Sequence, residues 1–220
     1  MLTRDFLLNA DCKTAFGAIE ESLLWSAEQR AASLAATLAC RPDDGSVWIF
    51  GYGSLMWNPG FPFEERQRAR LFGYRRALCI RSNHYRGTEE RPGLVLGLER
   101  GGSCLGVAFR VKPSGRKPVL DYLRERELVT NVYKERLIMV SLEDGRRLNA
   151  LTYVADPCHP QYVGGLEVDD AASIIRNAEG SSGPNSDYVF NTVEHLKAIG
   201  IRDVLLEKIA SHVEDGAGAK

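Results

Sequence analysis

Several large protein classes are excluded by what this sequence lacks. No apolar run approaches the ~18 residues of a membrane span. Asp5, Asp11, Glu20 and Glu21 interrupt the N-terminal apolar stretches, so neither a membrane helix nor a secretory leader is expected. Neither sign of charge is in surplus: 28 Lys and Arg stand against 29 Asp and Glu, a net charge of −1. No global field then draws the chain to nucleic acid or an anionic membrane, and neither is an expected partner. Cysteine is sparse and unpaired in pattern. The five residues Cys12, Cys40, Cys79, Cys104 and Cys158 are odd in number, widely spaced and without C-x-x-C. That argues against a disulfide framework and a structural zinc, and for a reducing, cytoplasmic setting. The four histidines are scattered, and Cys158-His159 are too close in sequence to share one metal, so no metal site is expected. Phosphate-loop and dinucleotide fingerprints are missing as well. No Lys follows the Gly51-x-Gly53 run, and Met56 stands where a third glycine would be needed.

What is present describes an ordinary globular protein, with 44% hydrophobic and 26% charged residues in 220. The length suits one large domain, or one domain with an added segment. Residues 12–40 are rich in alanine, with apolar positions at helical spacing (Phe16, Ile19, Leu23, Leu24, Ala27, Leu34, Leu38). Arg41-Pro42-Asp43-Asp44-Gly45 breaks that pattern. Residues 1–46 are therefore expected to be a helical extension and residues 47–220 the main domain. No feature of the sequence specifies an oligomeric state.

The main domain reads as strand-rich first and helical last. Strands are expected over residues 47–50 and 71–80. One hairpin is expected from 94–98 and 104–111 about Glu99-Arg100-Gly101-Gly102. A second is expected from 137–142 and 148–154 about Glu143-Asp144-Gly145. Helices are expected over 119–128, 168–178, 187–199 and 203–213, and the tail from Gly216 is expected to fray. The class is α+β with a mixed or antiparallel sheet, and closure into a barrel is one outcome.

The run Trp48-Ile49-Phe50-Gly51-Tyr52-Gly53-Ser54-Leu55-Met56-Trp57 carries the most information. A buried strand opens into a loop with glycine at two positions. Glycine reaches positive φ cheaply and admits a close approach of a ligand to the backbone. Two readings stand side by side: a tight turn after a core strand, or a loop whose N–H groups face a small anion such as a carboxylate.

The helix near 119–128 holds the second signal. At ~100° per residue, Leu120, Leu123 and Glu127 share a stripe, whereas Glu125 faces the other way. A carboxylate on an apolar face is costly unless paired or neutralised. Burial would raise its pKa, as a general acid–base requires. The structural alternative is an ion pair with Arg124 or Arg126, or exposure at a frayed helix end. Two polar segments are weaker. Ser82-Asn83-His84-Tyr85-Arg86-Gly87-Thr88 reads as a loop after a strand. In Gly183-Pro184-Asn185-Ser186-Asp187-Tyr188, Asn185 or Ser186 reads as a helix cap. Cys79 and Cys104, in apolar strands, read as packing residues.

Taken together and in order, these segments resemble the ChaC family of γ-glutamylcyclotransferases. Phe50-Gly51-Tyr52-Gly53-Ser54-Leu55-Met56-Trp57-Asn58-Pro59 is similar to the family's opening signature. His84-Tyr85-Arg86-Gly87-Thr88 with Pro92-Gly93-Leu94-Val95-Leu96-Gly97-Leu98 resembles its arginine–glycine loop and next strand. Gly106-Val107-Ala108-Phe109, Arg126-Glu127 followed by Tyr133, and Gly183-Pro184-Asn185-Ser186-Asp187-Tyr188 resemble its later blocks. One departure is Leu128-Val129-Thr130-Asn131, where many members carry two glycines.

The resemblance spans about residues 47–198. It implies a small mixed-sheet barrel with C-terminal helices behind the N-terminal helical extension. It implies cleavage of glutathione, a small-molecule partner, to 5-oxoproline and cysteinyl-glycine, without metal or cofactor. Glu127 would be the catalytic residue, and Gly51, Tyr52, Gly53, Ser54, Leu55, Met56, Arg86 and Tyr188 would bind substrate. Two alternatives remain at this stage: action on other γ-glutamyl amines, or a non-catalytic regulatory protein on the same fold.

Overall fold

The computed structural model describes residues 45–128 and 130–216, together with Ser26, Glu28, Gln29 and Ala32. The expected extension over residues 1–46 lies almost entirely outside the described residues, as do the last four residues of the expected frayed tail. The described chain divides into two compact units, one of residues 45–76 and 98–156, the other of residues 77–97 and 157–216.

Strands β1 (Val47–Gly51), β2 (Glu65–Ser82), β3 (Gly93–Val111), β4 (Tyr133–Leu142) and β5 (Arg147–Ala155) close into a barrel in the order β1-β3-β2-β4-β5. All five residues of β1 are buried. That is why its sequence is a continuous apolar run rather than an alternation. β1 pairs antiparallel with β3, Val47 opposite Val111 and Gly51 opposite Val107. It pairs parallel with β5, Trp48 opposite Ala150 and Ile49 opposite Leu151. The hairpin of β4 and β5 forms where Asp144-Gly145 placed it. Gly145 takes φ 90° and its N–H meets the Leu142 carbonyl at 3.1 Å. Helix α1 (Arg116–Glu127) buries Val119, Leu120 and Leu123. With Ile49, Phe50, Leu71, Leu98, Phe109 and Leu151 they are part of this unit's core.

The expected hairpin about Glu99-Arg100-Gly101-Gly102 does not form. β3 runs unbroken through it, and β2 begins at Glu65 rather than Leu71. Gly101 (φ 106°) and Gly102 (φ 66°) bend the strand instead of reversing it. Side-chain bonds bracket the bend on both sides, Arg75 to Glu99 at 2.9 Å and Arg70 to Ser103 at 3.1 Å. Positive-φ glycines serve bulges as readily as turns, so the same dipeptide signals either.

The second unit contains α2 (Val168–Asn177), α3 (Asn185–Ala198) and α4 (Val204–Asp215), with a two-residue pair, β6 (Glu179–Gly180) and β7 (Gly183–Pro184). Ala171, Ala172, Ile175, Val189, Leu196, Ile201, Leu206 and Ile209 are buried within it. Asp203 caps α4 by accepting the Leu206 N–H at 3.1 Å. Asn185 does not cap α3, contrary to expectation, and neither does Ser186. The N-cap is Pro184, with no side-chain cap bond. The fully buried Asn185 side chain instead accepts the Leu94 N–H at 2.7 Å and donates to the Leu94 carbonyl at 2.8 Å. Among the described residues, no helix is long and apolar enough to cross a membrane.

Candidate active site

β1 delivers the glycine loop directly. After Gly51 the chain makes one 3-10 turn over Ser54–Met56, closed by the Met56 N–H on the Gly53 carbonyl at 2.9 Å. The Asn58 N–H then meets the Ser54 carbonyl at 2.8 Å. Gly51, Tyr52, Gly53, Leu55 and Met56 are buried, and Ser54 is half-buried. Positive φ is not what these glycines provide, since Gly53 sits at φ −133° and Gly51 is not in the left-handed region. Closeness is what Gly51 provides: a Cβ there would lie 3.0 Å from Leu55 Cβ and 3.3 Å from the Leu55 carbonyl carbon. Two side chains fix the loop's base. Buried Arg76 donates from Nε to the Tyr52 carbonyl and from Nη2 to the Leu105 carbonyl, both at 2.6 Å. Thr152 Oγ1 donates to the Phe50 carbonyl at 3.0 Å.

Glu127 ends α1. Leu120 and Leu123 on its stripe are fully buried and Glu125 is exposed, as the spacing required. The Glu127 side chain keeps 18% of its surface. Burial pushes its pKa up, and the Arg126 guanidinium opposes this without cancelling it. The ion pair raised as an alternative does exist, with Arg126 as partner, Nε to Oε1 at 3.0 Å.

Arg126 also reaches the loop. Its Nη2 donates to Ser54 Oγ at 2.8 Å, and its Nη1 donates to the Asn58 carbonyl at 2.7 Å and the Tyr122 hydroxyl at 3.1 Å. Arg124, the other alternative partner, turns to Glu135 on β4 at 2.7 Å. The Tyr153 hydroxyl on β5 donates to Glu135 at 3.3 Å. Burial, then the charges of Glu135 and Glu127, drive the Tyr153 pKa well above the ordinary phenol value, so it stays protonated. Glu127 therefore lies beside an arginine that opposes its neutralisation and near a neutral phenol, which is itself bonded to the Arg124–Glu135 pair.

In the second unit, Arg86 and Tyr188 come together. The Arg86 guanidinium carbon lies 5.7 Å from the Tyr188 ring centroid. Arg86 Nη1 donates to the Ser182 carbonyl at 2.7 Å and the Pro184 carbonyl at 3.2 Å. The Tyr188 hydroxyl accepts the Leu96 N–H at 3.1 Å. The loop around His84 is tied down too: its carbonyl accepts both the N–H and the hydroxyl of Ser181 at 2.9 Å. Thus one unit joins Glu127 to the 51–56 loop, and the other joins Arg86 to Tyr188.

Sequence reasoning missed Arg76, Tyr153 and Glu135, and gave Arg126 only the part of an ion-pair partner. The available signal for Arg76 was its place on the strand face of Leu78 and Ile80, at two-residue spacing. Cys79 and Cys104 are buried, in keeping with packing, and Cys158 is exposed.

Comparison with known proteins converges on one family. A family model described as ChaC-like protein matches residues 47–216. The glutathione-specific gamma-glutamylcyclotransferase of Escherichia coli (strain K12) is 51% identical over 203 residues, spanning 92% of this chain and 88% of the relative. A protein of the same description from Schizosaccharomyces pombe is 32% identical, spanning 70% of this chain and 84% of the relative. A crystal structure of the glutathione-specific γ-glutamylcyclotransferase from yeast superposes with a TM-score of 0.71 at 22% identity, covering 78% of this chain and 96% of that one. This last likeness concerns the fold, a mixed-sheet barrel with appended helices.

Proposed function

The chain belongs to the ChaC-like family, and we infer on that footing that it is a glutathione-specific γ-glutamylcyclotransferase, a lyase that releases 5-oxoproline and cysteinyl-glycine. The observation that carries the mechanism is the half-buried Glu127 carboxylate, bound through Arg126 to the 51–56 loop.

The reaction is a ring closure. The α-amine of the γ-glutamyl group attacks that group's own γ-carbonyl. A C–N bond forms to the amine, the amide bond to cysteine breaks, and a five-membered lactam leaves with cysteinyl-glycine. The substrate carries its own nucleophile, so proximity is built in. Two proton movements remain: one from the attacking amine, one to the departing amide nitrogen. Glu127 performs both in our reading, a role worth about 10²–10⁴-fold. Its raised pKa supports this, because a carboxylate that holds a proton more firmly is a better base for an ammonium and still returns the proton. The Arg126 contact favours the ionised form that must act first.

The α-carboxylate of the substrate is assigned to the 51–56 loop. The Ser54 and Leu55 N–H groups open the turn, ahead of the first N–H closed onto a turn carbonyl, that of Met56. Charge-assisted bonds from such donors suit a carboxylate. Gly51, Tyr52, Gly53 and Met56 shape the loop, and Arg86 and Tyr188 are proposed to bind substrate because they stand in the blocks that resemble the family's arginine–glycine loop and late loop. A cytoplasmic location fits the sparse, odd set of cysteines.

Incubation of the protein with glutathione, and separately with γ-glutamyl amides that lack cysteinyl-glycine, tests the function. Equimolar 5-oxoproline and cysteinyl-glycine from glutathione alone is the expected result. Comparable release from every amide would broaden the substrate class, and no release from any would overturn the reading.

A further inference from the structure

We propose that Arg126 is a positioning residue that couples the substrate-binding loop to the proton-transferring carboxylate, one guanidinium gripping the 51–56 turn through Ser54 and aiming Glu127 through Nε. The proposal rests on the assignment of Glu127 above.

Neighbouring residues on a helix do not face each other. A contact at 3.0 Å between Arg126 and Glu127 therefore needs something to draw the arginine side chain across. The loop does so. Ser54 Oγ accepts at 2.8 Å and the Asn58 carbonyl at 2.7 Å, while the Tyr122 hydroxyl on the same helix accepts at 3.1 Å. The Pro59 carbonyl lies at 3.5 Å from the same Nη1. The Arg126 side chain retains only 6% exposure, so solvent screens these bonds little. A guanidinium is planar and presents its donors in a fixed fork. Moving the loop then moves the fork, and the fork moves Glu127. A lysine keeps the charge but not that geometry.

Two consequences are separable. The grip on Ser54 and Asn58 governs the loop, hence substrate binding. The charge on Arg126 opposes the neutralisation of Glu127 that burial favours. Among the described residues, Tyr153 on β5, held protonated, also feels the Glu127 charge, and it in turn meets the Arg124–Glu135 pair of α1 and β4; the Tyr122 hydroxyl on α1 bonds the same guanidinium as Glu127.

The test measures KM for glutathione, the pH profile of kcat/KM, and melting for Arg126→Met, Arg126→Lys, Ser54→Ala and Glu127→Gln. Arg126→Met should raise KM about tenfold, as loss of a charge-assisted bond does, and move the acid limb of kcat/KM to higher pH. Arg126→Lys should raise KM with the acid limb near its wild-type place. Ser54→Ala, which removes one acceptor and no charge, should raise KM and leave the limb alone. Should Arg126→Met fail to fold, the lysine and Ser54→Ala variants decide: wild-type KM in both overturns the proposal. So does an unmoved acid limb in a folded Arg126→Met protein. Near-normal turnover in Glu127→Gln would instead remove the assignment on which the proposal stands.

Discussion

Gly106 of β3 lies so close to Gly51 of β1 that a Cβ at position 106 would overlap the Gly51 carbonyl oxygen and come within 2.7 Å of Phe50 Cζ. The glycine loop thus begins where two strands of the barrel press backbone against backbone. Gly51 itself allows Leu55 to fold back over the strand end. Glycine here serves packing first, and the loop's shape follows from it.

Gly106→Ala should therefore destabilise the protein by about 1–3 kcal/mol, the usual cost of overpacking a tight site, and raise KM by shifting the loop. Gly115→Ala is the control. Its Cβ would meet only the Val111 side chain, at 3.8 Å, so its effect should stay within about 0.5 kcal/mol. Urea denaturation of both reads the difference, and equal stabilities would refute the close-approach account.

Asn185 satisfies both backbone groups of Leu94 from a fully buried position. Asn185→Ala leaves a buried N–H and a buried carbonyl without that partner, each costing about 1–3 kcal/mol. A loss of at least about 2 kcal/mol in urea denaturation is expected. A change below about 0.5 kcal/mol would show that the two bonds contribute little.

Burial raises the folded-state pKa of Glu127 above the ordinary 4.5. The folded protein then binds more protons than the unfolded chain between those two values, so stability contributed by this group falls as pH rises through that window. Glu127→Gln has no such group. Its Tm relative to wild type should increase from pH 4.5 upward and level off once Glu127 is ionised in both states. Thermal melts from acid to neutral pH measure the difference, and a constant or declining offset would contradict it.

Much of this was legible along the chain, for local reasons. β1 announces itself as an unbroken apolar run, the β4–β5 hairpin by Asp144-Gly145, and the C-terminal helices by their periodicity. Glu127 stood out because Leu120 and Leu123 define a stripe on which a carboxylate does not belong. Gly101-Gly102 misled because bulges and turns call for the same backbone freedom. Asn185 misled because a side chain suited to capping a helix is equally suited to a backbone 91 residues away. The part played by Arg126 was out of reach. Its partners Ser54 and Asn58 lie 72 and 68 residues earlier, and only barrel closure brings them to the helix end. The parallel pairing of β1 with β5, which helps close the barrel, leaves no local mark either.

The most direct test of the central claim is 5-oxoproline release from glutathione by Glu127→Gln beside Glu125→Gln, each shown to be folded by its melting curve. Both changes remove one charge from α1, but only Glu127 lies on the buried stripe, with Arg126 holding its carboxylate. The account predicts that Glu127→Gln still binds glutathione while kcat falls by at least about 10²-fold, the low end for a general acid–base, and that Glu125→Gln turns over like wild type. Near-normal release by folded Glu127→Gln, or loss of release in Glu125→Gln alone, would contradict it.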